Sequence, residues 1–279
     1  MTYASVMVHL DASERAGHRL KLAACYAQAH HAKLIAVYAS FVPPPTWFYR
    51  MESAARYLEE DRNRQARVRD VVQMRFREAT QSLAIETEWR AVEGDPLALV
   101  LREAREADLL VVGQEDSSDM ESFVAPDFVE TLILESGRPV LVVPYAGSFT
   151  SVARRFLVAW GGGRESARAL HDAMPLMPGA TVQVLQMTRG RPRHWAEDTT
   201  VGQVARVLKA HGIDSTVEEA RCVDSDVAIG EMLLSRASDF GADLIVMGAY
   251  GHSRLRELVL GGVTRTLLKT MTVPVLMSH

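Results

Sequence analysis

The sequence predicts an α/β protein of two tandem doubly wound domains, each built on a five-stranded parallel sheet with helices on both faces. Two observations predict this fold class. First, the chain repeats itself, because EADLLVVGQ (106–114) matches GADLIVMGA (241–249) and RPVLVVP (138–144) matches VPVLMSH (273–279), both at an offset of 135. Second, continuous apolar runs of strand length alternate with helical patterns, which is typical of a parallel sheet covered on both faces.

The second copy shows this alternation most clearly. Apolar runs predict strands at 154–160, 181–187, 215–223, 242–248 and 273–278. Helical spacing predicts helices between them at 164–177, 199–212, 226–241 and from Val263 onward. We expect Gly212 to stop the second of these helices, Asp226 to cap the third and Gly241 to end it. With right-handed crossovers, this alternating order gives a doubly wound sheet.

The first copy follows the same template with an insertion. Its first strand (5–11) matches residues 155–161 at an offset of 150, so about fifteen extra residues lie before the offset of 135 is reached. We place them in the Pro-rich, aromatic segment 41–57. The small, polar segment 145–151 is typical of a linker between domains. The predicted domains are residues 1–146 and 152–279.

Composition and charge narrow the function classes. The net charge of −4 and the pI near 6.2 argue against a nucleic-acid partner. The N-terminus lacks the basic region of a signal peptide, and no apolar run reaches the roughly 18 residues that a membrane span needs. We therefore expect a cytoplasmic protein without a membrane partner. Cys25 and Cys222 stand far apart in apolar surroundings, which predicts reduced, buried thiols.

Four glycines crowd one segment near the end of the second copy: Gly248, Gly251, Gly261 and Gly262. Gly248 closes the strand 242–248, at the sheet edge where doubly wound folds bind ligands. Together with Gly251, it would let the backbone turn sharply and approach a ligand closely. The second pair precedes a helical run, so it would lie at a helix N-terminus, where free N–H groups and the helix dipole attract phosphate. Thr264 would add a hydroxyl there.

The spacing of these glycines fits neither G-x-G-x-x-G nor the Walker motif, and two unrelated turns with a close helix crossing would also explain them. The whole segment MGAYGHSRLRELVLGGVTRTLLKTMTVPVLM (247–277) resembles the C-terminal signature of the universal stress protein family. That signature is G, two residues, G, nine residues, G, then G, S or T. Gly248, Gly251 and Gly261 match its three glycines, and both copies resemble the tandem members of the family in architecture.

The resemblance implies a stress-response regulatory protein that binds ATP or another adenine nucleotide, with Mg²⁺ carried by the nucleotide. Its fold would be the universal-stress-protein or adenine-nucleotide-hydrolase-like fold. The backbone at 248–251 and 261–264 would hold the phosphates and ribose, and Met187 and Met247 would flank the adenine and ribose. The implied binding residues are Met187, Met247, Gly248, Ala249, Tyr250, Gly251, His252, Gly261, Gly262, Val263 and Thr264.

Two positions of the second copy depart from the family pattern. Gly262 stands where the family often has Ser or Thr, so a hydroxyl is lost while the N–H remains. Gly161 stands where the family often has an Asp after the first strand, near the adenine and ribose. The first copy keeps that acid as Asp11.

The first copy has lost the glycine motif, because at the offset of 135 its residues are Asp116, Pro126 and Asp127. The two carboxylates would repel a phosphate, and the proline would constrain the loop. We therefore expect one nucleotide per chain, with the first domain acting as a pseudo-dimer partner. Because an apolar edge strand needs cover, we predict an interface between residues 139–143 and 274–277. A homodimer of whole chains through the aromatic segment 43–49 is a further hypothesis.

The sequence predicts no catalytic residue and no metal site. His252 and Ser253 are neighbours in the chain, and such neighbours rarely face each other as base and nucleophile. We expect His252 to reach a phosphate instead, and we interpret His30 and His31 as surface residues. Two alternatives stay open. One is a scaffold or small-ligand module that binds no nucleotide, and the other is a slow ATPase for which the sequence offers no catalytic base.

Overall fold

The computed structural model describes residues 2–41, 54–116, 118–119, 124–189, 201–222, 225–249 and 261–279. Several positions discussed above lie outside these ranges. They are the aromatic segment 43–49, Ser253 and three predicted binding residues, Tyr250, Gly251 and His252.

The first domain alternates strands and helices as predicted. Its strands are β1 (Ser5–Leu10), β2 (Lys33–Phe41), β3 (Thr87–Gly94), β4 (Leu109–Gly113) and β5 (Val140–Val143). Its helices are α1 (Arg15–His30), α2 (Ala54–Thr80), α3 (Pro96–Ala104) and α4 (Phe128–Glu135).

The second domain repeats this order. Its strands are β6 (Arg155–Trp160), β7 (Thr181–Arg189), β8 (Ser215–Cys222), β9 (Leu244–Gly248) and β10 (Val275–Ser278). Its helices are α5 (Arg164–Ala173), α6 (Val201–Ala210), α7 (Asp226–Phe240) and α8 (Gly262–Thr270). The helix predicted at 164–177 is α-helical only to Ala173 and continues as a 3₁₀ turn over Met174–Leu176. Pro175 lacks the N–H that an α-helix would need there.

All ten strands form one continuous sheet, in the order β3-β2-β1-β4-β5-β10-β9-β6-β7-β8. Within each half every pairing is parallel. In each half the first and fourth strands are neighbours, which is the arrangement of a doubly wound sheet and creates a switch point between them. The predicted fold class is confirmed, with one switch point at β1 and β4 and another at β6 and β9.

The two halves meet where β5 and β10 pair in antiparallel fashion, Leu141 opposite Leu276 and Val142 opposite Val275. The side chains of all four residues are fully buried. This pairing confirms the predicted interface between the last strands of the two copies. Because each strand covers the apolar edge of the other, β3 and β8 are the two edge strands of the sheet as far as the described residues go. Both carry charged side chains.

Two apolar layers cover the faces of the sheet, and both layers run across the junction between the domains. Buried side chains of α1, α2, α5 and α6 form one layer, and those of α3, α4, α7 and α8 form the other. Leu141 and Leu276 belong to the first layer, while Val142 and Met277 belong to the second. Within the described ranges, no helix combines the length and the apolar character needed to cross a membrane.

Two predicted helix stops of the second domain are confirmed, and one predicted cap is wrong. Gly212 and Gly241 have the positive φ angles, 74° and 66°, that suit a helix stop. The cap of α7 is Ser225 rather than Asp226, because Ser225 has extended backbone and its hydroxyl accepts a hydrogen bond from the N–H of Ala228 at 3.5 Å. Asp226 is therefore the first residue of α7.

Cys25 differs from the prediction of a buried thiol. It is half-buried and free of any disulfide, and its Sγ lies 3.2 Å from the carbonyl oxygen of Thr150 in the interdomain linker. The carbonyl group of the linker therefore covers the thiol only in part. The side chain of Cys222 lies outside the described residues.

The strand pairing generates a prediction about the isolated second domain. Without the first domain, residues 152–279 expose the edge of β10, whose Val275, Leu276 and Met277 are fully buried in the whole chain. We expect this fragment to dimerise or aggregate in light scattering and to unfold at a lower urea concentration than the whole chain. Adding residues 1–146 as a separate fragment should restore a monomeric complex. A fragment that is monomeric and as stable as the whole chain would contradict the prediction.

Candidate functional site

A cavity of about 160 Å³ opens at the carboxyl ends of β6, β7 and β9 in the second domain. Strands β6 and β9 are neighbours in the sheet although they are not consecutive in the chain, so the cavity lies at a switch point, where doubly wound folds bind ligands. Its lining residues are Ala159, Trp160, Gly161, Gly163, Glu165, Ser166, Met187, Asp226, Ile229, Leu233, Met247, Gly248, Gly261, Gly262, Val263 and Thr264.

The cavity has an apolar wall and a polar wall. Met187, Met247, Ile229 and Leu233 form the apolar wall, which suits a flat heteroaromatic group. The polar wall is built by the amino ends of α5, α7 and α8. Helix amino ends carry unpaired N–H groups and the positive end of the helix dipole. Three of them together favour an anionic group on this wall.

Seven of the eleven predicted binding residues line this cavity: Met187, Met247, Gly248, Gly261, Gly262, Val263 and Thr264. Ala249 is fully buried beyond the end of β9, where its N–H donates to the carbonyl oxygen of Ser278 at 2.9 Å, and it does not line the cavity. Tyr250, Gly251 and His252 lie outside the described residues.

Gly248 allows a helix, and not only a ligand, to approach the end of β9. A Cβ atom at this position would lie 2.4 Å from the carbonyl carbon of Glu165 and 2.5 Å from the backbone nitrogen of Ser166. These distances are far below van der Waals contact, and neither backbone atom can move away as a flexible side chain would. The missing side chain therefore keeps the first turn of α5 against β9, at the wall of the cavity.

The amino end of α8 forms part of the cavity wall. Gly261 precedes the helix with φ −55° and ψ 132°, and Gly262 is its first residue. Thr264 follows in the first turn and is only 2% exposed. A Cβ atom on Gly262 would lie 2.5 Å from the Cβ of Asp226 and 2.8 Å from its Oδ2. The carboxylate of Asp226 thus rests against the first residue of α8.

Sequence reasoning missed the two carboxylates on the cavity wall, Asp226 and Glu165. Glu165 accepts a hydrogen bond from Nε of Arg164 at 2.6 Å. Burial raises the pKa of the Glu165 carboxyl, but the hydrogen bonds from Arg164 and from its own N–H outweigh burial, so the pKa is lowered and the group stays ionised at neutral pH. The sequence contained a signal for them. Both acids lie in the first turn of a helix that follows a parallel strand, and the amino ends of such helices lie at the same edge of the sheet.

The matching crevice of the first domain is filled by its own side chain. Arg19 on α1 is 4% exposed, and it donates hydrogen bonds to the carbonyl oxygen of His9 and to the carboxylate of Asp11, each at 2.7 Å. Its Nη1 lies so close to Gly113, at the end of β4, that a Cβ there would be 2.1 Å away. The space left in this crevice is about 30 Å³, against about 160 Å³ in the second domain.

Side-chain size accounts for this difference between two similar crevices. At the offsets given above, three large residues of the first domain correspond to smaller ones in the second: His9 to Ala159, Arg19 to Ala169 and Phe128 to Val263. The rings of His9 and Phe128 pack with their centroids 4.9 Å apart. The second domain has no comparable bulk at these positions, and the space stays open.

The filled crevice is also electrically balanced. Burial lowers the pKa of the His9 imidazole to about 4, although the nearby Asp11 carboxylate acts in the opposite direction. Burial raises the pKa of the Asp11 carboxyl, but Arg19, His9 and Ser13 outweigh it and the pKa is lowered. At pH 7 the crevice therefore contains a neutral imidazole and a closed ion pair between Asp11 and Arg19.

The residues that replace the glycine motif in the first domain stand where the sequence placed them. Asp127 immediately precedes α4, with φ 51°. Asp116 is half-buried and accepts hydrogen bonds from the N–H and hydroxyl of Ser118 at 3.0 and 2.6 Å. Pro126 is exposed beside Asp127. A carboxylate thus stands at the amino end of α4, where α8 has glycine. The expected repulsion of phosphate stays a prediction.

The contact at Gly248 generates a stability prediction. Gly248→Ala should destabilise the chain by about 3 kcal/mol, because a close-packed backbone must shift to admit the methyl group. Gly17→Ala is the matched control, since a Cβ on Gly17 in α1 meets nothing within 4 Å. That change should stabilise the chain by about 0.5–1 kcal/mol through the lower entropy of the unfolded state. Urea unfolding measures both, and equal stability of the two variants would contradict the assigned contact.

Comparison with known proteins gives relatives of this chain. Universal stress protein Slr1230 of Synechocystis sp. (strain ATCC 27184 / PCC 6803 / Kazusa) is 27% identical over 152 residues, which cover 53% of this chain and 49% of that protein. Universal stress protein MJ0577 of Methanocaldococcus jannaschii is 41% identical over 46 residues, which cover 16% and 28%. The chain thus matches about half the length of these curated relatives, or less.

A solved structure and a family model extend the comparison to the whole chain. A universal stress protein from Archaeoglobus fulgidus DSM 4304 has the same fold, with a TM-score of 0.72 over 99% of this chain and 98% of that one at 16% identity. The model of the universal stress protein family matches residues 2–144 and again residues 153–279. The two matches include the cavity of the second domain and the filled crevice of the first. The chain therefore belongs to the universal stress protein family, as a member with two tandem domains.

Proposed function

We propose that this protein is a stress-response regulator whose second domain binds one adenine nucleotide, ATP foremost. The observation that carries the proposal is the cavity at the switch point between β6 and β9. It joins an apolar wall of the size and character of a base pocket to the amino end of α8, an arrangement that suits a heteroaromatic base linked to a phosphate.

The described residues support a defined orientation of the nucleotide. The base would lie between Met187 and Met247, and the phosphates would accept hydrogen bonds from N–H groups at Gly261–Thr264. Gly262 and Thr264 line the cavity at this end, so both the backbone and one hydroxyl are available to a phosphate. Tyr250, Gly251 and His252 complete the proposed set on the basis of the family motif.

Mg²⁺ fits the polar wall of the proposed site. Carboxylate oxygens are ligands that Mg²⁺ prefers, and Glu165 and Asp226 both line the cavity beside the amino end of α8. The cation would lower the charge of the triphosphate and allow it to approach these acids. We assign no catalytic role to any residue of the site.

We propose that the first domain serves as the structural partner of the second. The support is physical. Arg19 fills its crevice, and β5 covers the apolar edge of β10. In this arrangement the chain resembles a dimer in which one subunit has become permanently closed and the other remains open to a ligand.

Gly261→Asp tests the proposed phosphate site directly. Asp is a favourable residue before a helix, and the backbone angles of Gly261 are open to any residue, so the fold should persist. The new carboxylate would occupy the phosphate position and lower the affinity for ATP by about 100-fold or more. Gly261→Asn, of the same size without the charge, is the control and should retain most of the affinity. Calorimetry that finds equal ATP affinity in both variants and the parent would argue against the site.

Stoichiometry tests the asymmetry of the two domains. We expect native mass spectrometry and calorimetry to find one nucleotide per chain. Val263→Phe, which copies Phe128 of the first domain into the second, should narrow the cavity and weaken binding. Val207→Phe, at an exposed position of α6, should leave binding unchanged. Two nucleotides per chain, or no effect of Val263→Phe, would show that the filled crevice is not what distinguishes the domains.

A further inference from the structure

We infer that Gln114 of the first domain is a positioning residue for the ligand site of the second domain. Its side chain bonds to one end of α8, and the other end of α8 carries the proposed phosphate-binding turn. The inference rests on the proposed function and goes beyond it, because it gives the first domain a control over ligand affinity in addition to its structural role.

The side chain of Gln114 joins the two domains. Gln114 directly follows β4 and is 6% exposed. Its Nε2 donates a hydrogen bond to the carbonyl oxygen of Leu268 at 2.8 Å, and its Oε1 accepts one from the N–H of Tyr145 at 3.1 Å. Leu268 lies in the last turn of α8, where a carbonyl oxygen has no N–H donor within the helix. An apolar group in place of the amide would leave this buried carbonyl unpaired, which is more costly than the bond itself is favourable.

Comparison of the two domains shows that this contact runs in one direction. At the offset of 135, Gln114 corresponds to Ala249. Their backbone contacts agree, because the N–H of Gln114 donates to the carbonyl oxygen of Val143 at 2.8 Å and the N–H of Ala249 donates to that of Ser278 at 2.9 Å. The side chains differ, since Ala249 has no polar atom that could bond to α4 in return. The domain with the filled crevice therefore positions a helix of the domain with the open cavity, and the reverse contact is not made through this residue.

Helix α8 connects Gln114 to the cavity. It has nine residues and is about 13 Å long. Gly262 and Thr264 at its amino end line the cavity, whereas Leu268 lies in its carboxyl half. Helix α7 supports the amino half, because a Cβ atom on Gly230 would lie only 2.7 Å from Cγ2 of Thr266. The crossing with α7 and the bond from Gln114 together fix the helix axis. Without Gln114 the carboxyl end can tilt about this crossing, and the N–H groups at the amino end then shift as well.

Charged side chains between α8 and the first domain contribute less than this bond. Arg265 and Lys269 of α8 line a polar cleft of about 570 Å³ together with Glu115, Asp127 and Glu130 of the first domain. All of these side chains except that of Glu130 are exposed. Their opposite charges attract the helix towards the first domain, but water and salt screen charges at exposed positions. The buried hydrogen bond of Gln114 therefore constrains α8 more closely than these charges do.

Ligand binding by two variants of the whole chain tests the inference. Calorimetry would compare Mg²⁺–ATP with adenosine for the parent, Gln114→Met and Tyr26→Phe. Methionine is close to glutamine in size and removes the bond to Leu268. Tyr26→Phe is the matched control, because it removes another buried bond between the domains, from the N–H of Ala153 to the Tyr26 hydroxyl at 3.3 Å, which does not involve α8.

We expect Gln114→Met to weaken the binding of Mg²⁺–ATP by about tenfold, because the ligand must then order the helix itself, at a cost on the order of one buried hydrogen bond. Adenosine should bind Gln114→Met almost as well as the parent, because it has no phosphate and its base would contact Met187 and Met247 on β7 and β9. Tyr26→Phe should bind both ligands as the parent does.

Hydrogen exchange without any ligand gives a second readout. The N–H of Arg265 donates to the carbonyl oxygen of Gly261 at 3.0 Å and so reports the first turn of α8. We expect this amide to exchange faster in Gln114→Met than in the parent or in Tyr26→Phe, because the helix has lost its support at the far end.

Three results would overturn the inference. Equal affinity of Gln114→Met and the parent for Mg²⁺–ATP would show that Gln114 does not control the site. Equal losses for ATP and adenosine would assign Gln114 a general structural role. Unchanged exchange at Arg265 would show that the bond does not position the amino end of α8. A parent chain that binds neither ligand would contradict the proposed function, and the control of affinity would fall with it, whereas the exchange measurement would still show whether Gln114 positions the helix.

Discussion

The antiparallel pairing of β5 with β10 is the contact on which the rest of the molecule depends. It joins two five-stranded sheets into one sheet of ten strands and merges the apolar layers on both faces. Neither half could leave so apolar an edge open to water without inviting association with another chain. Because this pairing fixes the two domains to each other, one domain can lose its ligand site and still contribute an essential surface.

The two crevices lie at the same place in the same fold, but one is filled and the other is open because their side chains differ in volume. Both lie at the switch point of a doubly wound sheet, and in both a glycine ends the fourth strand. In the first domain Gly113 makes room for the guanidinium of Arg19, whereas in the second Gly248 makes room for the backbone of α5. The same residue type at the same place therefore serves two different contacts, and the second of them leaves the cavity open.

The polar wall of the open cavity results from the positions of three helix amino ends. Parallel strands bring the amino ends of the following helices to one edge, so α5, α7 and α8 converge there although they are far apart in the chain. Their dipoles favour an anion, while Glu165 and Asp226 already supply negative charge. The helix ends and the two carboxylates therefore contribute electrostatic fields of opposite sign at the same wall.

The sequence by itself predicted the repeat and the order of strands and helices, because hydrophobic periodicity is a local signal. The apolar character of the last strands predicted their pairing, and the resemblance to the family signature implied seven residues that line the cavity wall. Sequence reasoning gave the wrong cap for α7, since Ser225 and Asp226 are both good caps and only the backbone geometry chooses between them. It also could not find Arg19 at Gly113 or Asp226 at Gly262. These contacts join elements that are distant in sequence, and their distances depend on how closely helices pack on the sheet, which only the tertiary structure decides.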